Sequence, residues 1–158
     1  MQFSFSYDKK KVIQGLRYHF ITRKEIRIVI ILVNVFAILS AFLFYTKRIH
    51  PEPFLLSSVL WLFLMISFWY LLPYTIYRRS VTFKESFTIF FFERQVRLKN
   101  ARGYVDWNWS DFQLFFESPN FFHLYFSTRS FFLLPKENLD EATVQALRTL
   151  LNNHIKRR

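Results

Sequence analysis

The side chains best suited to acid–base or metal chemistry are four histidines, His19, His50, His123 and His154, and a small set of carboxylates. No two of the histidines fall at a metal-ligand spacing. Asp106 and Asp111 flank Trp107 and Trp109 and come nearest to an acid pair, but their spacing suits carboxylates in a turn. Asp140 and Glu141 stand where a helix start favours negative charge. Cysteine is absent, which excludes disulfides, thiolate metal sites and a cysteine nucleophile. With two glycines in the chain there is no glycine-rich phosphate loop. The expectation is a protein that is not an enzyme and holds no cofactor and no metal.

The aromatic residues say more. Among 22 Phe, Phe90, Phe92, Phe115, Phe121 and Phe132 fall on strand positions opposite to Phe91, Phe116, Phe122 and Phe131, so both faces of a sheet are apolar in places. A small domain buries one face fully. The other can meet an amphipathic N-terminal helix, a bilayer or another subunit. Trp107 and Trp109 share a face, as a core pair or as a contact for a ligand or membrane. Lys136 reads as a solvated residue before a helix or as a lipid-phosphate contact. Trp107, Trp109, Lys136, Phe115, Phe121 and Phe132 are therefore the candidate interaction residues.

The elements that must position these residues follow from periodicity. Gln2 to Tyr7 alternates as a short strand. Asp8 caps a helix carrying Val12, Ile13, Leu16 and Phe20 at helical spacing and Lys9, Lys10, Lys11 and Arg17 as charge. Such a basic amphipathic helix suits a membrane surface or packs on the soluble part, and Gly15 interrupts it. From Arg79 onward the period is two. Val81–Phe83, Phe87–Phe91, Gln95–Lys99, Tyr104–Trp109, Phe112–Ser118, Phe121–Phe126 and Ser130–Leu134 read as short strands of an antiparallel sheet, curled or sandwiched. A final helix carries Val144, Leu147, Leu151 and Ile155, with Asn138 and Glu141 spaced as a capping box.

Between these parts lie two uncharged runs, Ile28 to Tyr45 and Phe54 to Leu72. Each is about 18–19 residues, near the ~20 that cross a hydrocarbon core. A connection as short as Thr46 to Pro53 makes an antiparallel hairpin. Lys and Arg gather before the first run and at Arg78 and Arg79 after the second, which places both termini in the cytoplasm. Asn34, Ala37 and Ala41 share a face, and Asn34 is expected to bond across to Ser67 while the alanines admit a close approach. The net charge of +11 sits mostly beside the spans, so anionic membrane lipid explains it without nucleic acid.

The order of parts resembles the YcxB-like family of bacterial membrane proteins. Trp109-Ser110-Asp111-Phe112 is similar to the family's stretch entering a strand, with Asn108 where the family has Pro. Leu133-Leu134-Pro135-Lys136 is similar to its segment before the last helix, with Glu137 and Leu139 in place of a basic residue and Phe. The resemblance implies a pleckstrin-homology-like C-terminal β domain closed by a helix and facing the cytoplasm. It implies no activity.

The expected organisation is a membrane α-helical hairpin of two transmembrane helices plus an α+β part. The N-terminal strand and basic helix occupy 1–25, the hairpin 26–77, and the small antiparallel pleckstrin-homology-like β domain with its C-terminal helix 78–158. The expected role is a non-enzymatic interaction module in the cell membrane, multi-pass, with a lipid or protein partner and room for a homo-oligomer. The alternative is an immunity or regulatory protein acting through its spans on a toxin or another membrane protein.

Overall fold

The computed structural model describes residues 1–157 and divides the chain into two compact units. The first is discontinuous: Met1–Gly15 together with Ser80–Arg158. The second is Leu16–Arg79. The expected division at residues 25 and 77 is thereby redrawn. The N-terminal strand belongs to the β unit, and the long apolar segment is an insertion within it.

In the β unit, β1 (Gln2–Phe5), β2 (Phe87–Phe91), β3 (Gln95–Asn100) and β4 (Gly103–Asn108) form a four-stranded antiparallel sheet in that order. β1 pairs with β2 through Phe3↔Ile89 and Phe5↔Phe87. The strands β5 (Leu114–Glu117), β6 (Phe121–Tyr125) and β7 (Phe131–Pro135) form a second antiparallel sheet. One continuous core joins the sheets: Ile89, Val96 and Leu98 from the first, Phe115, Phe122, Leu124 and Leu134 from the second. The helix α5 (Glu141–His154) adds Val144, Leu147 and Leu151 to that core. These are its expected stripe residues, three and four apart. The helix starts later than expected. Asp140 is its N-cap, and Asn138 instead holds a left-handed turn at φ 64°, which Asn tolerates better than most side chains.

Two other expectations fail locally. Val81–Phe83 is no strand; Thr82–Lys84 forms a single 3₁₀ turn, closed by Lys84 N–H donating to the Val81 carbonyl. After α5 the chain turns extended, and the Phe115 N–H donates to the Lys156 carbonyl at 2.9 Å. Lys156 and Arg157 thus cover the edge of β5 rather than prolonging the helix. Arg158 lies outside the described residues.

The outer face of the second sheet is covered by the start of α1 (Lys9–Thr22). Val12 is fully buried, and a Cβ at Gly15 would stand 2.9 Å from the Phe121 ring and 3.6 Å from Leu133. Gly15 is there because the helix backbone lies on Phe121. Lys11 pairs with Glu137 at 2.6 Å and Asn120 Nδ2 donates to Gln14 Oε1, so polar contacts border the apolar one. Of the two readings of this helix, packing on the β unit is the one its first half adopts.

In the second unit, α2 (Lys24–Tyr45) packs along α3 (Pro51–Ile66). A π-helical turn (Ser67–Leu71) leads on to α4 (Leu72–Arg79). Both Lys24–Tyr45 and the continuous stretch Pro51–Arg79 are long and apolar enough to cross a membrane. Only 6% of the apolar window of the first and 0% of the second is buried, so the described residues of this chain do not enclose either helix. The half-buried residues Ile26, Ile30, Val33 and Ala37 lead to buried Ser40 at spacings of four and three, the seam of two helices crossing at a shallow angle. Ser40 and Ser57 share a hydrogen bond at 2.8 Å, and Phe44 stacks on Phe54 at 4.5 Å.

The π turn has a local cause. Pro73 has no N–H to give the Trp69 carbonyl four residues earlier, and its ring crowds that turn. Arg17 Nε supplies the donor at 2.9 Å, with its guanidinium over the Tyr70 ring at 5.1 Å.

Two predictions follow from packing. Gly15→Ala gains helix propensity of about 1 kcal/mol but overpacks Phe121 at a cost of about 1–3 kcal/mol. Its denaturation midpoint in detergent, followed by tryptophan fluorescence, should fall; an unchanged or higher midpoint refutes the close packing. Arg17→Gln should cost about 1 kcal/mol, and less in a Pro73→Ala background, where a backbone N–H returns. Equal costs in both backgrounds would show that Arg17 does not serve the Trp69 carbonyl.

Candidate functional site

The expected interaction residues are mostly interior. Phe115 is fully buried, Phe121 is 1% exposed beneath Gly15, and Phe132 is 7% exposed in the intersheet core. They were expected at a surface because both faces of their strands are apolar. Both faces are apolar because both are covered, one by the first sheet and α5, the other by the start of α1, up to Gly15.

Trp109 is likewise buried. Its Nε1–H donates to the Phe92 carbonyl at 3.1 Å, and its ring stacks on His154 at 4.3 Å. It begins the 3₁₀ turn Trp109–Asp111, where the Asp111 carboxylate accepts the Asn108 N–H at 2.8 Å in a capping box. The four residues Trp109 to Phe112 therefore make the corner by which the chain leaves the first sheet for the second. Asp106 stands apart from Asp111, in a two-pronged ion pair with Arg97 at 2.6 and 2.8 Å that holds its carboxyl below the usual carboxylate range. The two acids do not converge on a common site.

Lys136 is not free for a phosphate. It follows β7 and reaches Glu117 at the end of β5 at 2.7 Å, its Nζ 4.9 Å from the Phe122 ring. Arg148 of α5 grips the same carboxylate with two hydrogen bonds, 2.9 and 2.7 Å, and Arg157 stands 3.8 Å away. The Arg148 hydrogen bonds, together with Lys136, depress the Glu117 carboxyl to about 2. One anion thus fastens β5, β7, α5 and the final segment. Neither Glu117 nor Arg148 had a signal in the sequence: a salt bridge across 31 residues leaves no periodicity.

Asn34 and Ser67 do not pair as expected. Asn34 Nδ2 donates to the Ile30 carbonyl of its own helix at 2.7 Å, and its Oδ1 accepts from Trp61 Nε1 at 3.3 Å. Pro51 starts α3 directly after the short 46–50 connection, so the register lies roughly one turn from that assumed. Ser67 falls instead in the π turn. Ala37 is on the seam, whereas Ala41 is exposed beside it.

Of the expected set, Trp107 and Phe132 line one surface cleft. The cleft has a volume of about 430 Å³, and Trp107 forms part of its wall. Leu98, Val105 and Phe132 are among its apolar lining residues, and Glu85, Asn100 and Arg102 among its polar ones. Glu85 Oε2 accepts from Asn100 Nδ2 at 2.7 Å. Its Oε1 is buried and accepts no hydrogen bond, though Arg102 Nη2 stands 3.0 Å away as an ion pair. Arg102 itself is largely exposed. The cleft can hold an apolar group, and the Glu85 carboxylate beside it is already engaged by Asn100 and Arg102. Among the described residues no group of His, Asp and Glu is placed to hold a metal ion.

The described parts define an α+β chain: two antiparallel sheets with α5 and the start of α1 packed on them, and two helices apolar enough for a bilayer. Residues 91–151 match the model of the family described as YcxB-like protein, a stretch that contains both motifs on which the resemblance rests. No curated protein and no solved structure matches the chain.

The Glu117 contacts make a pH prediction. A carboxyl depressed in the folded state stabilises fully above its unfolded value of ~4.3. That stability is lost as pH falls toward about 2. Unfolding monitored between pH 6 and 2.5 should show a loss of a few kcal/mol at most, and Glu117→Gln should be less stable at pH 7 and flatter below pH 4.5. A variant with the wild-type pH slope would assign the loss to other carboxyls.

Proposed function

We propose that this chain is a non-enzymatic, membrane-anchored interaction module. The two apolar helices cross the bilayer and the β unit binds a partner at the cytoplasmic face. The observation that carries the reading is the exposure of α2 and α3: Leu32, Ile38, Leu56 and Phe63 are each more than half exposed along helices that carry almost no charge. In water such a surface is unfavourable by ~25 cal/mol per Å² of apolar area, and in lipid it is not.

The cations support the same orientation. Lys24 and Arg27 begin α2, and Arg78 and Arg79 end α4, while only Lys47 and Arg48 lie in the 46–50 connection. By the positive-inside rule the connection is then outside and the β unit inside. Anionic lipid contributes ~1 kcal/mol for each cation near the surface. The four-plus-three antiparallel sheets and the packed C-terminal helix agree with the pleckstrin-homology-like architecture that the family resemblance implies. Fold alone assigns no ligand.

The polar groups of the pair favour an anchor over a regulator acting through its spans. Asn34, Ser40, Ser57 and Trp61 bond to one another or to their own helices, which leaves apolar side chains to face outward.

The chain's lack of cysteine makes the test clean. Lys47→Cys should react with an impermeant maleimide on intact cells, and Arg129→Cys only after lysis, with the protein retained in the membrane pellet at alkaline pH. Release into the supernatant would overturn the anchor, and the opposite labelling pattern would overturn the orientation.

A further inference from the structure

Arg17 and Arg27 each spend one donor on the backbone and keep the rest. Arg17 Nε donates to the Trp69 carbonyl at 2.9 Å, and Arg27 Nε to the Ile21 carbonyl at 3.4 Å. Neither guanidinium makes another hydrogen bond or an ion pair among the described residues. Two rings fix Arg17 further, their centroids 5.5 Å (Trp69) and 5.1 Å (Tyr70) from the guanidinium carbon. The helix pair gives the level of this arrangement. Ser40 meets Ser57 and Asn34 meets Trp61, so Arg27, seven residues before Asn34, is level with Phe68, seven after Trp61. Trp69 lies in the last turn of the uncharged run Phe54–Leu72. Trp and Tyr at the end of a span sit at the level of lipid headgroups. Within Leu16–Arg79 this end carries Arg17, Arg23, Lys24, Arg27, Arg78 and Arg79, and its one carboxylate is Glu25, 75% exposed and 3.8 Å from Arg23.

We propose that Arg17, held by the Trp69 carbonyl and the two rings, binds the phosphate of an anionic phospholipid, with Arg27 at the same level as a second cation. This deepens the membrane-anchor reading and rests on it. A carbonyl carries no net charge, so the contact with Trp69 positions the guanidinium without neutralising it. The Nη1 and Nη2 groups of Arg17 keep N–H donors in a planar fork that suits two phosphate oxygens. A guanidinium at the edge of a hydrocarbon phase needs a counter-charge, and no carboxylate among the described residues forms an ion pair with Arg17. At that level of a bilayer the anion at hand is a lipid phosphate. The excess of cations over Glu25 favours a lipid of net negative charge, because a choline or ethanolamine group finds little to pair with. A soluble phosphate reaches the same donors but leaves Trp69 and Tyr70, 45% and 59% exposed, uncovered, whereas the acyl chains of a lipid lie against them.

The test is native mass spectrometry of the full chain in detergent, titrated with phosphatidylglycerol or phosphatidylcholine. The wild-type chain should hold phosphatidylglycerol the more tightly. Arg17→Gln should weaken phosphatidylglycerol about tenfold, the scale of a lost hydrogen bond to a charged group. Lys24→Gln, which removes a cation from the same end, should have a much smaller effect. Because Arg17→Gln also takes the donor from the Trp69 carbonyl, the comparison is repeated in a Pro73→Ala background. There a backbone N–H returns, and the loss of lipid binding should persist. Equal losses for Arg17→Gln and Lys24→Gln overturn the proposal in favour of diffuse charge attraction. Undiminished binding by Arg17→Gln in the Pro73→Ala background also overturns it, because Arg17 then acts only on the kink. Glycerol phosphate should not displace the lipid, and displacement would assign the donors to a soluble anion instead. A chain that leaves the membrane pellet at alkaline pH fails as an anchor, whereas one that stays there without lipid preference fails only here.

Discussion

The pairing of β1 with β2 is the constraint on which the rest depends. Ser4 and Thr88 share a hydrogen bond across 84 positions of sequence, and everything between them is a detour from one sheet. Closing so long a loop costs entropy, but slowly, because each doubling of length adds only about 0.6 kcal/mol. Burial offsets it: Phe5 stacks on Phe87 and reaches Phe132 in the opposite sheet, so β1 contributes to the intersheet core as well as to the ladder. Tyr7 follows with its hydroxyl donating to the Leu133 carbonyl at 2.7 Å, and burial pushes its ionisation upward. The β unit therefore depends on residues separated from the rest of it by the whole helical insertion.

Much of this was legible one element at a time. The alternation in Phe87–Phe91 and Gln95–Lys99, the stripe of α5 and the two uncharged runs each produced the expected element, because burial on one side imposes a period. Relations between elements were less legible. The N-terminal strand looked like a separate appendage because pairing across the insertion leaves no local mark. Phe115, Phe121 and Phe132 looked like surface residues because a strand covered on both sides and a strand with a sticky outer face have the same apolar pattern. Gly15, which weakened the case for a helix, is the residue that lets that helix lie on Phe121.

The polar residues show the same division. The motif residues that carry the family resemblance were visible, but their roles were not. Trp109 to Phe112 form a corner and Lys136 one arm of the Glu117 clasp, so both are explained by architecture. The cleft was half visible, through Trp107. Its carboxylate, Glu85, sits in a turn after the second unit and meets Asn100 and Arg102 only once β3 has paired.

The interrupted β unit also sets an order of events during synthesis. A ribosome adds about 5–20 residues per second, so β1 waits roughly 4–16 s before the more than 80 residues to its partner strand have been made. Both hydrophobic helices emerge in that interval. The first strand is then an orphan, apolar on one side and unpaired on both edges, until β2 has been made. Maturation of the sheet thus requires that both helices have already been synthesised, and a chain whose synthesis stalls within them leaves β1 exposed to proteolysis.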